Sequence, residues 1–482
     1  MAAYAGSQGA GWFTGGLDTL PQTTKAPELT FEIGPQAVTN RRDGIISPQL
    51  VSSYVFLQFG EIGPANLAKH ADTLDALFIR SASIGFVDYL GDRVLDWDRA
   101  SARIPMDVKG MIRQANELGI PVFLELNYTD YVPGPLGTGT DSLKRADNTE
   151  RTVSFLEALE AAGLRIAGFT FGDEIDDESG YGALKPTLSN DDVLGRFVTL
   201  ATALKEHDAR LKIYAFDSYI AATRGLVSQS LDLLRKVRAA ELVAGRSLID
   251  GFVFRESYVY MNDKGAVLGS QDILDDTESL AGSAPVKRYD VNGTSGLRTD
   301  RGYLVTLVQQ TQAIFGRVID IGITEYLPAG PVQINESDTS KYADIDFLIH
   351  YADVVGTYAE QGLDIVSTWM FANTVDDSKC YVSKTGVKAL SYPVHEQLAQ
   401  EFKGSQLEVK RSDSYDSVKV KLYAARHEQK TFIMVLNKDV ASGHTVRLVL
   451  PGEYDVLLTL PARGYTSLLL DGAGITISGV AG

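Results

Sequence analysis

The chain is poor in the residues that build disulfide frameworks, metal centres and catalytic triads. It has one cysteine, Cys380, which excludes an intrachain disulfide and a zinc site made of several thiolates. None of the six histidines ends an apolar run of strand length, so the sequence offers no parts for a histidine metal site or a Ser/His/Asp triad. A Walker loop and a Gly-x-Gly-x-x-Gly after a strand are also missing. We therefore expect no metal and no cofactor.

Basic residues are in deficit, and no long apolar run is present. The 45 Lys and Arg residues are outnumbered by 62 Asp and Glu, and the resulting formal charge of -17 repels phosphate backbones and anionic membranes. Nucleic acid and membranes are therefore not expected partners. No segment is apolar enough to span a bilayer, and Met1 to Gly16 lacks the basic start and apolar middle of a signal peptide. We expect a soluble protein, either cytoplasmic or secreted with its signal peptide absent from this numbering.

What the chain does have is a repeating unit: a helical pattern, a terminating glycine, an apolar run of strand length, and then polar residues. A glycine just past a helix supplies a left-handed cap, and a continuous apolar run is typical of a strand buried on both faces. The terminating glycines are Gly119, Gly163, Gly245, Gly316 and Gly362. Alternation of helices and buried strands predicts a parallel sheet.

The apolar runs add up to eight strands. Five follow the terminating glycines, and three more are predicted at Tyr54 to Phe59, Leu77 to Ser81 and Leu211 to Phe216. Eight parallel strands close a (β/α)8 TIM barrel, and an open doubly wound sheet is the second choice. Because 482 residues exceed the roughly 250 of such a barrel, we expect a second, smaller domain.

The pattern changes after about residue 396. Short alternating segments such as Thr431 to Leu436 and Thr445 to Leu450, separated by Gly, Asp, Asn and Pro, predict an antiparallel β-sandwich. Leu29 to Gly34 alternates in the same way, so we predict that a strand at about residues 28–34 joins this sandwich. The predicted division is an N-terminal arm over residues 1–45, the barrel over 46–395 and the sandwich over 396–482.

Two glutamates end predicted barrel strands: Glu174 in Phe169-Thr-Phe-Gly-Asp-Glu174 and Glu325 in Ile321-Gly-Ile-Thr-Glu325. Barrel enzymes keep their catalytic residues at this end of the strands. Paired glutamates there predict a retaining glycosidase, in which one carboxyl protonates the leaving group and an ionised one attacks the anomeric carbon. Acidic neighbours in sequence suit Glu174 to the protonated role, because nearby like charges raise a carboxyl pKa.

The two glutamates, the Ile-Thr-Glu-Tyr stretch, Trp369 after the eighth predicted strand and the terminal sandwich resemble clan A of the retaining (β/α)8 glycoside hydrolases, in particular families 39, 44 and 51. The resemblance spans nearly the whole chain, but its motifs are short. In that clan the acid/base and nucleophile glutamates end the fourth and seventh strands. The resemblance thus implies Glu174 as acid/base and Glu325 as nucleophile.

The resemblance also implies roles for other strand ends. Arg80 would hold the nucleophile ionised, and Asn127 would bind a sugar hydroxyl. Trp369 would be the platform on which the sugar stacks. Tyr258 would hydrogen-bond the nucleophile, although Glu256 and Tyr260 lie close to it in sequence.

One position departs from the clan pattern. Asp173 stands where the clan usually has an asparagine that donates to the sugar 2-hydroxyl, and an ionised carboxylate can only accept. Two classes of function therefore stay open. The first is a retaining hydrolase of a β-linked polysaccharide or oligosaccharide, or of an α-L-arabinofuranoside. The second is a non-catalytic carbohydrate-binding protein on a degenerate barrel.

The polar insertion from Met261 to Asp300 follows the sixth predicted strand. It is either a lid over the mouth of the barrel or a surface loop. The sequence leaves the sugar, the linkage and the oligomeric state open.

Overall fold

The computed structural model describes a barrel and a large antiparallel sheet. The residues described are 11–15, 26–39, 45–51, 67–80, 86–88, 93–95, 108–126, 131–132, 144–145, 148–171, 190–218, 227–258, 274, 287–289, 295–297, 303–328, 344–368, 388, 391–411 and 419–481.

The strands, numbered in chain order, are β1 Gly11–Gly15, β2 Leu29–Thr39, β3 Ile45–Val51, β4 Leu77–Arg80, β5 Phe86–Asp88, β6 Arg93–Leu95, β7 Val122–Leu126, β8 Tyr131–Val132, β9 Lys144–Arg145, β10 Gly168–Phe171, β11 Lys212–Ser218, β12 Gly251–Tyr258, β13 Lys287–Tyr289, β14 Ser295–Leu297, β15 Asp320–Pro328, β16 Ile365–Thr368, β17 Ser405–Arg411, β18 Val420–His427, β19 Lys430–Asn437, β20 His444–Leu450, β21 Tyr454–Leu460, β22 Gly464–Asp471 and β23 Gly474–Ala481.

The α-helices are α1 Val108–Glu117, α2 Asn148–Ala161, α3 Asn190–His207, α4 Val227–Ala244, α5 Tyr303–Phe315, α6 Asp344–Glu360 and α7 Tyr392–Glu401, with a 3-10 helix at Ala68–Thr73. Among the described helices, none is both long enough and apolar enough to cross a membrane.

Eight strands close a parallel barrel in the order β3, β4, β7, β10, β11, β12, β15 and β16, and β16 pairs back onto β3. Closure confirms the predicted barrel and excludes the open doubly wound sheet. The five terminating glycines all have positive φ, from 62° at Gly316 to 82° at Gly362, which confirms the predicted left-handed caps.

The first barrel strand differs from the prediction. The structure places it at Ile45–Val51, whereas Tyr54 to Phe59 lies outside the described residues. The apolar pattern missed it because Pro48 interrupts the run, and proline, which lacks an N–H, argues against a central strand. Pro48 is in register with Thr368 at the last pairing between β3 and β16, so the absence of its N–H affects only the end of the hydrogen-bonded ladder.

Side chains of the barrel strands alternate between the barrel interior and the surrounding helices. Phe123 of β7 and Tyr214 of β11 have ring centroids 5.4 Å apart although β10 lies between their strands, so both occupy the interior. The interior cluster comprises Ala76, Phe78, Phe123, Tyr214, Val253 and Ile365. The alternate residues of the same strands, such as Leu124 and Val366, join the large core that includes the helices.

The remaining large sheet has nine strands in the order β1, β23, β22, β19, β18, β17, β2, β20 and β21. Its pairings are antiparallel except that of β2 with β20, and β2 lies between β17 and β20. One face buries an apolar core that runs from Phe31 through Val435 to Leu458. Because β21 also contacts β22, the sheet folds over this core as a sandwich.

The other face of the sheet packs against α6 of the barrel. Lys438 Nζ lies 2.6 Å from Asp353 Oδ2, and both side chains are fully buried. The Tyr423 hydroxyl donates to the other oxygen of Asp353 and lies 3.0 Å from the Thr357 hydroxyl. Buried charges need partners of this kind, so the contact fixes α6 against the sheet.

A buried histidine ties α7 to α6 and to the 3-10 helix. His395 Nε2 lies 3.1 Å from the Thr73 carbonyl oxygen, which can only accept, so Nε2 carries the proton. The Tyr351 hydroxyl then donates to His395 Nδ1 over 2.6 Å. Burial lowers the pKa of His395 to about 3, so the ring stays neutral near pH 7.

Candidate active site

Three of the seven residues predicted from sequence to form the site are described, and each lies at the carboxyl end of a barrel strand. Arg80 ends β4, and Glu325 and Tyr258 lie in the last four residues of β15 and β12. The other four residues lie outside the described part of the chain. Asn127 directly follows β7, Asp173 and Glu174 follow β10 by two and three residues, and Trp369 directly follows β16. The strands are parallel, so their carboxyl ends share one rim.

A register irregularity marks the position of Glu325 on both sides of β15. Against β12, β15 advances two residues, from Ile323 to Glu325, while β12 advances one, from Phe254 to Arg255. Against β16, β15 advances three residues from Ile323 to Tyr326, while β16 advances two. The strand thus has one extra residue at Thr324 to Glu325, which is the signature of a β-bulge.

The bulge changes the row that Glu325 occupies. Ile323 joins the helix-facing core, so simple alternation would return residue 325 to the helix side. With the extra residue, Glu325 is instead in register with Arg255, two positions after Val253 of the interior cluster. The backbone position of Glu325 therefore continues the interior row.

Tyr258 falls on the other row. It is in register with Pro328, five residues after Val253, and an odd separation along a strand places two residues on opposite faces. Arg80, by contrast, is two residues after Phe78 of the interior cluster. The backbone thus aligns Arg80 and Glu325 with the interior and not Tyr258.

Sequence reasoning missed Arg255. Its place beside Glu325 depends on the bulge in the next strand, and apolar alternation carries no signal for an inserted residue whose neighbours are Thr and Glu. The sequence shows that Arg255 lies two residues after Val253, but it does not show that Val253 faces the barrel interior.

Part of the insertion after β12 is described. β13 and β14 pair antiparallel as a small hairpin within residues 261–300. The lid and loop interpretations both remain predictions.

A cavity of about 1250 Å³ opens at the opposite end of the barrel. It is lined by residues that precede or begin strands, among them Pro121, Ala167 and Asp320. Two ion pairs lie in its lining: Lys212 Nζ lies 3.0 Å from Asp320, and Lys403 is bonded to Asp75. Barrel catalysis occurs at the other rim, so this cavity is not the candidate active site.

One tyrosine lines this cavity from inside the barrel. Tyr214 donates to Asp320 over 3.2 Å, and burial, followed by the charge of Asp320, raises the pKa of its hydroxyl well above 10.0. It is therefore a neutral hydrogen-bond donor. Among the described residues, no group of three or more His, Cys, Asp and Glu is placed to hold a metal ion.

The fold is shared with solved glycoside hydrolases. A family 51 alpha-L-arabinofuranosidase from Bifidobacterium longum matches with a TM-score of 0.63 at 12% identity, covering 95% of this chain and 99% of that chain. A glycoside hydrolase family 44 xyloglucanase from Paenibacillus polymyxa matches with a TM-score of 0.62 at 13% identity, covering 94% and 99%. A bifunctional glucanase-xylanase from a metagenome library matches with a TM-score of 0.61 at 13% identity, covering 95% and 100%.

These matches confirm, for the fold, the resemblance to families 44 and 51 that the sequence indicated. No known protein-family profile matches the chain. No curated protein sequence matches it either.

Proposed function

We propose that the protein is a retaining glycoside hydrolase with Glu325 as nucleophile and Glu174 as acid/base. The observation that carries the proposal is the bulge in β15, which brings the backbone of Glu325 into the interior row at the catalytic rim. A bulge beside an active site commonly re-aims one side chain. The bulge in β15 lies at Glu325, the only glutamate of that strand, as expected if its role is to direct this residue to the site.

The sequence around Glu174 supports the second role. Thr170 of β10 is buried between Phe169 and Phe171, both of which join the helix-facing core, so it belongs to the interior row. Glu174 lies four residues later, an even separation that favours the same row if the chain stays extended. Glu174 follows the fourth strand of the barrel and Glu325 lies on the seventh, as the clan pattern requires.

The chemistry that follows is a double displacement. Glu174 protonates the leaving oxygen while ionised Glu325 attacks the anomeric carbon, and Glu174 then activates the water that releases the sugar. This mechanism requires the two carboxyl groups to be about 5 to 5.5 Å apart. A separation above about 9 Å would remove the retaining assignment, because that gap leaves room for a water instead.

The remaining predicted residues complete the proposed site. Arg80 favours the ionised form of the nucleophile by its charge, and Asn127 and Asp173 contact sugar hydroxyls. Trp369 stacks on the sugar ring. Tyr258 keeps its proposed contact with the nucleophile only if β12 departs from regular alternation near its end.

The proposed substrate is a β-linked polysaccharide or oligosaccharide. Solved structures with this fold include a xyloglucanase and a glucanase-xylanase, which by name act on polysaccharides, and this supports the choice of class. The family 51 alpha-L-arabinofuranosidase favours α-L-arabinofuranosides as the second candidate. Asp173 favours the third candidate, a carbohydrate-binding protein without turnover.

Incubation with polysaccharides and aryl glycosides, followed by product analysis, tests the proposal. We expect release of sugars whose anomeric configuration, read by NMR in the first minutes, is that of the substrate. Inverted products would contradict the double displacement, and α-L-arabinose release alone would favour the second candidate. Binding without hydrolysis would favour the third.

A further inference from the structure

One charged residue of the described chain lies directly beside the proposed nucleophile. Arg255 on β12 is the register partner of Glu325 on β15, and neighbouring strands are about 4.8 Å apart. Residues in register on parallel neighbours belong to the same face of the sheet. Arg255 and Glu325 therefore occupy adjacent interior positions at the catalytic rim.

The placement of Arg255 in the interior row rests on its own strand. Phe252 joins the helix-facing core, Val253 joins the interior cluster, and Arg255 follows Val253 by two residues. The pairing of Phe254 with Ile323, one step earlier, agrees with this, because Ile323 also joins the helix-facing core. Both comparisons place the backbone of Arg255 in the interior row.

No other positive charge on a neighbouring strand competes for this place. The strand on the other side of β15 is β16, whose four residues Ile365–Thr368 carry no charge. On β12 the only other titratable residues at this end are Glu256, on the opposite row, and Tyr258. Arg80 belongs to β4, three strands along the barrel wall from β15, and Glu125 belongs to β7, one strand further.

We propose that Arg255 is the positioning residue whose adjacent charge keeps Glu325 ionised, in addition to or in place of Arg80. This inference rests on the proposed function for its catalytic meaning. Arg255 acts through Glu325 and need not touch substrate. An opposite charge within about 4 to 6 Å lowers a carboxyl pKa by roughly 1 to 3 pH units.

The test measures the ionisation of Glu325 directly. Protein with 13C-labelled glutamate carboxyl groups is titrated by NMR, and Glu325→Gln identifies the resonance. Arg255→Gln should move the Glu325 midpoint upward by about one pH unit or more, whereas Arg255→Lys, which keeps the charge, should stay near the parent. Arg165→Gln is the matched control, because Arg165 is an exposed arginine before β10 at the other end of the barrel. It should leave the midpoint unchanged.

Catalysis gives a second readout. The acidic limb of kcat/KM should move upward in Arg255→Gln by the same amount as the NMR midpoint, and Arg255→Lys should restore it. An Arg255→Gln midpoint equal to the parent's would overturn the proposal. A Glu325 midpoint in the parent at or above the ordinary value of about 4.3 would also overturn it, whether or not that variant folds.

Failure of the proposed function has a different signature. If the parent hydrolyses no glycoside but the Glu325 midpoint still depends on Arg255, the enzymatic assignment fails and the electrostatic pairing stands. If hydrolysis proceeds with an unchanged acidic limb in Arg255→Gln, the pairing fails and the enzymatic assignment stands.

Discussion

Replacing Lys438 by methionine should strongly destabilise the junction between the sandwich and the barrel. Lys438 and Asp353 have no exposed side-chain surface, and their charged atoms are 2.6 Å apart. Methionine keeps most of the apolar stem but removes the cation, which leaves the charge of Asp353 buried without it. Breaking a buried pair on one side costs about 3 to 5 kcal/mol of unfolding free energy.

The matched control is Lys419→Met, directly before β18 of the same sheet. Lys419 Nζ lies 2.9 Å from Asp439, but 42% of the lysine side chain is exposed. Water solvates the exposed lysine, and Asp439, although only 6% exposed, still accepts from the N–H groups of Ala441 and Ser442, so the loss should cost about 1 kcal/mol or less. The contrast between two lysine-to-methionine changes isolates burial from charge removal.

Urea unfolding followed by circular dichroism gives the comparison, with calorimetry to check whether the sheet and barrel melt separately. The double variant with Lys438→Met and Asp353→Leu should recover much of the loss, because no buried charge is left uncompensated. Tyr423 keeps a partner in this variant, since its hydroxyl lies 3.0 Å from Thr357. Equal small losses for the two single lysine variants would refute the reasoning.

Three other outcomes follow from the structure and the proposed site. Burial lowers the pKa of His395 to about 3 from the ordinary 6.5, so between these pH values only the unfolded chain binds the proton. Stability should therefore fall as the pH drops below about 6.5, by up to 1.4 kcal/mol per pH unit. In urea titrations between pH 6.5 and 5, His395→Gln should flatten this slope, and an unchanged slope would contradict the reasoning. A Cβ at Gly356 would collide with the Tyr423 ring, so Gly356→Ala should lower stability by about 1 to 3 kcal/mol. A Cβ at Gly195 in α3 would meet open space, so Gly195→Ala should raise stability by up to about 1 kcal/mol. Melting temperatures that change in the same direction in both variants would contradict the packing described at Gly356. Glu174→Ala should still react with aryl glycosides that have good leaving groups, and azide should rescue its turnover with retained configuration, whereas Glu325→Ala should give only inverted azide products. Each variant should lose several orders of magnitude of its rate on natural substrate, roughly 4 kcal/mol or more of transition-state stabilisation. Near-normal turnover in either variant would remove that residue from its role and make Glu256 and Glu125 the next candidates.

The parts of the fold that the sequence predicted are those with strong local signals. Gly119 and the four equivalent glycines mark helix ends because the left-handed cap excludes most other residues, and the apolar runs after them mark buried strands. The short alternating strands after residue 405 are recognisable because one face of each is apolar over several residues. The prediction of the first barrel strand was wrong for a related reason, because Pro48 interrupts the kind of apolar run by which the other barrel strands are recognised.

The site is harder to predict because the sequence pattern shows where along a strand a residue lies but not which face of the barrel wall it occupies. Glu325 was predicted from its place at the end of an apolar segment, which fixes the rim but not the row. Without the extra residue at Thr324, alternation from Ile323 would direct the glutamate towards the helices, where an ionised carboxyl without a partner is costly to bury. The bulge is therefore the feature that makes a catalytic role compatible with the strand. The bulge is defined only by pairing with β12, which ends 66 residues before Thr324, and with β16, which begins 40 residues after Glu325, so no local pattern could reveal it. The same irregularity brings Arg255 beside Glu325, which means that one inserted residue both sets the row of the proposed nucleophile and selects its charged neighbour.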